Sequence, residues 1–120
     1  MICRTFFRFT QTGESVSSAN PQDLSSPQVW AELVAHLSDE NDYVGLMDAD
    51  DNVLQITRES ENAPYHVEVL LTDRRESFST TLAADELKSL LGRLPPRFKP
   101  SSFPGLISVE WRKDTGSSQE

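Results

Sequence analysis

Five residues, "DADDN" at positions 48 to 52, together with Glu59, have the types and spacing of a calcium loop. Asp48, Asp50 and Asn52 fall on the first, third and fifth ligand positions of an EF-hand, and Glu59 falls on the twelfth, where a bidentate carboxylate belongs. Such a loop requires Gly at its sixth position and a helix on either side. The sixth position here is Val53, and the flanking text, "YVGLM" and "VLQIT", is β-branched and short. If Val53 to Glu59 is extended, Glu59 sits roughly 20 Å from the turn and shares no ion with it. The stretch therefore predicts an acidic hairpin tip, with Asp and Asn chosen for their tolerance of turn dihedrals and their bonds to nearby backbone. No metal is expected.

The remaining chemistry-bearing residues are sparse. His36 and His66 are the only histidines, and neither has a second His or a Cys at ligand spacing. A nucleophile pairing Cys3 with one of them would have to assemble in space; a lone Cys on a terminal strand reads instead as a small core side chain. Five scattered glycines make no phosphate loop. No catalytic residue and no cofactor site is assigned, and the chain is read as a non-enzyme, a small enzyme being the third-ranked alternative.

The elements that hold these residues follow from periodicity. Residues 2 to 10 read as a strand, and "QTGESVSSANPQD" after them as a loop. A helix opens at Ser25 or Ser26, with Pro27 at its first position and Gln28 placed to close a capping box on Ser25. Val29, Trp30, Leu33, Val34 and Leu37 give it one apolar face. Four short strands follow: "YVGLM" (43–47), "VLQITRE" (53–59), "YHVEVLLT" (65–72) and "SFSTTL" (77–82). Tyr65, Val67, Val69 and Leu71 share one face of the third, and His66 and Glu68 the other, as in an antiparallel meander with one wet side. Leu87, Leu90, Leu91 and Leu94 mark a second helix, with Asp85 and Glu86 in its first turn and Pro95 and Pro96 behind it. "LISVEW" (106–111) is a last strand. The predicted fold is α+β: a mostly antiparallel sheet of about five to six strands with two amphipathic helices packed on it. It forms a single domain over residues 1–112, with a disordered tail over 113–120.

Charge gives the chain its direction. The net charge is −8, and all of it lies between Asp39 and Glu76, where eleven acidic residues face Arg58, Arg74 and Arg75. Such a field repels nucleic acid and membrane phosphates and attracts basic partners. A single cysteine excludes an internal disulfide, and no run approaches the ~18 apolar residues of a membrane span. A soluble, cytoplasmic protein is expected. The partner-binding residues predicted from charge and aromatic content are Asp48, Asp50, Asp51, Glu59, Glu61, Glu68 and Trp111.

The order of elements, with "SSPQVWAELVAHL", "DYVGLMDADDNVLQITRE", "YHVEVLLT", "LAADELKSLLGRL" and "LISVEW", resembles bacterial polymorphic-toxin immunity proteins of the Imm-one type. The likeness spans residues 24 to 111 and rests on apolar patterns. It implies a cytoplasmic protein that binds a cognate secreted toxin and occludes its active site. A nuclease or deaminase domain fits, because such enzymes hold phosphate backbones in basic clefts. No binding residue of that family is carried onto a position here. The chain also resembles the small acidic chaperones of type III secretion, although those carry further strands and a third helix after the second. The oligomeric state is not legible.

Overall fold

The computed structural model describes residues 2–72, 75–99 and 107–109, the last three as backbone. Among the described residues eight strands form one antiparallel sheet: β1 Ile2–Arg8, β2 Ser15–Val16, β3 Gln22–Ser25, β4 Tyr43–Met47, β5 Val53–Arg58, β6 Tyr65–Leu71, β7 Glu76–Leu82 and β8 Ile107–Val109. The order across the sheet is β2/β3, β1, β4, β5, β6, β7, β8. β2 and β3 share one edge of β1: Phe7 and Arg8 pair with Val16 and Ser15, and Ile2 to Thr5 pair with Ser25 to Gln22. This corrects the loop expected over that Ser- and Asn-rich stretch. The edge pairing is a backbone interaction, so it asks little of side chains, and the residues read as a connector still satisfy the N–H and C=O groups of β1. The sheet is accordingly wider than the five to six strands expected.

From β4 onward the chain is a meander whose registers fix the faces. Val44, Leu46, Leu54, Ile56, Val67 and Val69 meet in successive pairs and are buried. Their period-two partners Gly45, Gln55, Glu68 and Ser79 line the opposite face. The alternation of apolar and polar residues in "YHVEVLL" is what commits β6 to this register, since a slip of one residue would turn every apolar side chain outward.

Both helical segments lie over the apolar face. The first, α1, spans residues 26–36 but is no regular helix. An α-helical turn Ser26–Gln28 passes into a π-helical stretch Val29–Leu33 and a 3-10 turn Val34–His36. The start is as expected: Ser25 Oγ accepts from the Gln28 N–H at 3.3 Å, and Gln28 Oε1 accepts from the Ser25 N–H at 2.9 Å. The winding is not. Of the expected face, Val29, Leu33, Val34 and Leu37 are buried and Trp30 is only partly so. Mixed winding lets these four side chains reach one core, and the expected pair of amphipathic helices reduces to one. That one is α2, Ala84–Leu91, which buries Leu87, Leu90 and Leu91 in the same core as Leu33, with Trp30 packed against its margin. Ala83 has no side-chain oxygen to cap with; instead Glu86 accepts from the Ala83 N–H at 2.9 Å. Each fully buried Leu or Val contributes about 1.5–3 kcal/mol relative to exposure. No helix among the described residues is long and apolar enough to cross a membrane. The predicted tail over 113–120 and the domain boundary at 112 lie outside the described residues.

Candidate functional site

The acidic turn is built around Asp48, which is only 5% exposed. Its N–H donates to Asn52 O, and the Asp51 N–H returns to Asp48 O at 3.2 Å. Asp51 then takes a left-handed φ of 63°, which short Asx side chains tolerate. A turn followed by one left-handed residue is a favoured three-residue hairpin link. The carboxylate is fully engaged: Oδ1 accepts from the Asp50 and Asn52 N–H groups at 2.8 Å each, and Oδ2 accepts from Asn52 Nδ2 at 3.1 Å and from the Phe98 N–H at 2.6 Å. Four donors hold the oxygens that an ion would need, and Glu59 lies at the far end of β5. Asp48 thus joins the hairpin to the segment after α2 and offers no charge to solvent.

Its two neighbours are paired as well. Asp51 meets Arg4 at 2.9 Å, and Asp50 meets Arg97 at 3.2 Å. Arg4 also donates to the Asp48 carbonyl. Exposed pairs of this kind add ~0–1 kcal/mol. Their larger effect is on the field, because each takes one negative charge off the outer surface of the tip.

The opposite end of the meander differs. A bridge between Asp39 and Ser60 draws the segment before β4 against the β5–β6 link. Glu40 thereby joins Glu59 in the wall of a cavity of about 430 Å³, with Thr57, Arg58, Ala63, Pro64, His66 and Thr81 as its other lining residues. Glu61 lies in the same link and is exposed. Among the described residues no cation pairs with Glu40, Glu59 or Glu61. Arg58, the one guanidinium in the wall, is committed elsewhere. Its Nε donates to Ala63 O at 2.6 Å and one terminal nitrogen to Leu37 O at 3.3 Å, while its guanidinium stacks 4.3 Å from the Tyr65 ring centroid. Tyr65 in turn meets Trp30 at 5.9 Å, and burial pushes its hydroxyl above the usual phenol range, against a smaller downward pull from Arg58.

The six predicted partner-binding residues that the structure describes therefore do not form one patch. Asp50 and Asp51 stand at one end of the β5–β6 ribbon and Glu59 and Glu61 at the other, roughly 20 Å away along six residues of strand. Glu68, half-buried, lies between them on the open face, beside Gln55 and Ser79. Trp111 lies outside the described residues. Sequence reasoning missed Glu40, whose signal is only visible once the Asp39–Ser60 bridge is known.

Nucleophilic chemistry finds no footing in the pairs considered. Cys3 is buried on the helix-covered face and burial pushes its thiol up. His66 points from the other face of the sheet, and His36 is exposed on α1. Among the described residues no three His, Cys, Asp or Glu side chains are grouped to hold a metal ion. In comparison with known proteins, no family model, no curated protein and no solved structure matches this chain.

Proposed function

We propose that this chain is a binding protein that seats a basic protein partner on the acidic end of its sheet. In its most specific form it is an immunity protein that occludes the phosphate-holding cleft of a bacterial nuclease or deaminase toxin. The observation that carries this reading is the contrast between the two ends of the meander. Asp50 and Asp51 are neutralised by Arg97 and Arg4, whereas Glu40 and Glu59 line a cavity, with Glu61 exposed in the adjoining link, and no cation pairs with any of the three among the described residues. Unpaired carboxylates around a concavity attract a Lys or Arg side chain, and the summed field of a chain at −8 steers it there.

The test is kinetic. With a nuclease or deaminase toxin domain that the chain binds as partner, the Glu59→Gln/Glu61→Gln variant should slow association and flatten its dependence on salt, because steering acts on the encounter rate. Asp50→Asn/Asp51→Asn should leave both nearly unchanged. Equal effects from the two pairs, or none from either, would remove the acidic end from the interface. Failure of the chain to block the toxin's activity at any ratio would remove the inhibitory reading itself.

A further inference from the structure

The sheet face away from α1 and α2 has no described element packed over it, and its charges are arranged in a self-complementary way. The registers set its residues in three rows. Arg4, Met47, Val53 and Leu70 run across β1, β4, β5 and β6 at the Asp48 end. Phe6, Gly45, Gln55 and Glu68 follow in the middle, and Arg8, Tyr43, Thr57 and His66 lie at the acidic end. Phe6 lies across Gly45, where a Cβ would come within 2.1 Å of its ring, and meets Tyr43 edge-on at 6.1 Å. Beside that pair, Arg8, Gln55 and the Ser15–Val16 strand border an open depression of about 640 Å³. Arg8 is exposed, and neither it nor Glu68 has an ion-pair partner among the described residues.

We infer that this face binds a second copy of the same chain, sheet against sheet, about a twofold axis that runs parallel to the strands between β4 and β5. That axis lays β1 of one copy over β6 of the other. It lays each Glu68 opposite Phe6 at the edge of the depression, one row from Arg8 and within diagonal reach of it, which gives two symmetric ion pairs, and it sets Met47 against Val53 of the second copy near the axis. A twofold axis across the strands along the middle row would stack β6 on β6 and Glu68 on Glu68, which is repulsive, so the charges favour the axis parallel to the strands.

The self-complementary charges of this face, and not the net charge, argue for a second copy as the occupant. Two chains at −8 repel one another over most of their surface. Here Arg4 is balanced by Asp51 and Arg8 is matched by Glu68, so this face is where a copy meets least repulsion. With the axis between β4 and β5, six strand positions overlap over about 24 Å, and the three rows cover roughly 17 Å with their margins. The projected area, on the order of 400 Å², rises with side-chain relief toward the ~800 Å² per partner of a standard interface. Facing sheets aligned within about 30° are a common packing. Because the axis is parallel to the strands, both acidic ends point the same way, and the dimer presents two copies of the Glu40–Glu59 cavity side by side. The dimer does not depend on the inhibitory reading.

Sedimentation velocity of the full chain across a range of concentrations tests it. The expected result is a species of twice the 13.5 kDa chain mass. Arg8→Glu and Glu68→Arg should each weaken dimerisation by about tenfold or more, and the double reversal should restore most of it. Met47→Lys, which puts a charge beside the axis, should abolish the dimer. Circular dichroism checks that each variant is folded, and these positions are exposed or half-buried, so the fold does not depend on them. A monomer at every concentration into the millimolar range overturns the inference. So does a dimer indifferent to both reversals, or one that the double reversal fails to restore.

Discussion

Fifty residues separate Asp48 from Phe98 in the chain, and in the fold the Phe98 N–H donates to Asp48 Oδ2 at 2.6 Å. The bond joins the tip of the β4–β5 hairpin to the segment after α2, just where the Phe98 ring is buried in the core. Ala49 reinforces the same junction through Pro96 O at 3.4 Å. One carboxylate thus terminates a hairpin and anchors the end of the helical layer.

Asp48→Ala should therefore destabilise far more than a surface acid would. It leaves the N–H groups of Asp50, Asn52 and Phe98 without their acceptor, and the loss should be on the order of 3 kcal/mol. Asp48→Asn should recover part of this, because one oxygen remains while the new amide faces donors. Urea unfolding should record the change as a lower midpoint at constant slope. An Asp48→Ala loss below ~0.5 kcal/mol would mean that water replaces the carboxylate and that the tip is not a strut.

Calcium should leave the melting temperature unchanged. The Asp48 oxygens are saturated by four donors, and Glu59 stands at the other end of β5. A ligand present at 100 times its dissociation constant stabilises by ~2.7 kcal/mol. A rise of that size with calcium and not with magnesium would show that the turn rearranges around an ion.

The meander and its faces were legible in the sequence because Tyr65, Val67, Val69 and Leu71 must share one buried side, and no other register allows it. The acidic turn was legible as a turn, since Asx chemistry is local. What was not legible depends on partners distant in sequence. Arg4 and Arg97 neutralise Asp51 and Asp50 from 47 residues away on either side, and no local pattern announces such pairs. The edge strands Ser15–Val16 and Gln22–Ser25 escaped for a different reason. Their Ser, Gln and Asp side chains disfavour a strand on composition, and only the exposed backbone of β1 recruits them. The π and 3-10 winding of α1 also follows from packing, because the spacing of Val29, Leu33 and Leu37 fits an ordinary helix equally well.

Stability should fall on the alkaline side above about pH 9. Burial raises both the Cys3 thiol and the Tyr65 hydroxyl above their ordinary values of 9.0 and 10.0. In the unfolded chain these groups lose their protons first, so between the unfolded and folded values the unfolded state binds fewer protons and gains on the native state. The contribution is intact below the ordinary value and is lost as pH rises through the folded one. Thermal melts from pH 7 to 11 should show the decline, and Cys3→Ala should remove the portion that begins near pH 9. A flat profile to pH 11 would mean that neither group is held neutral by the fold.

The contact between Phe6 and Gly45 gives the last prediction. Phe6 is 8% exposed although it stands on the open face, because its ring lies across the glycine of the neighbouring strand. The Gly45→Ala methyl would fall 2.1 Å from the ring, so the ring must swing away and lose its edge-on contact with Tyr43. The expected cost is about 1–3 kcal/mol, within the range for overpacked sites. Removing the ring first reverses the expected sign. In a Phe6→Ala background the space is open, and alanine is preferred over glycine within an element by roughly 0.5–1 kcal/mol. Gly45→Ala should then be neutral or stabilising. A double-mutant cycle read by urea unfolding should return a coupling of at least ~1 kcal/mol, the behaviour of two residues in direct contact. If the two substitutions add, the ring does not rest on Gly45, and the middle row of the open face is arranged differently from the one described.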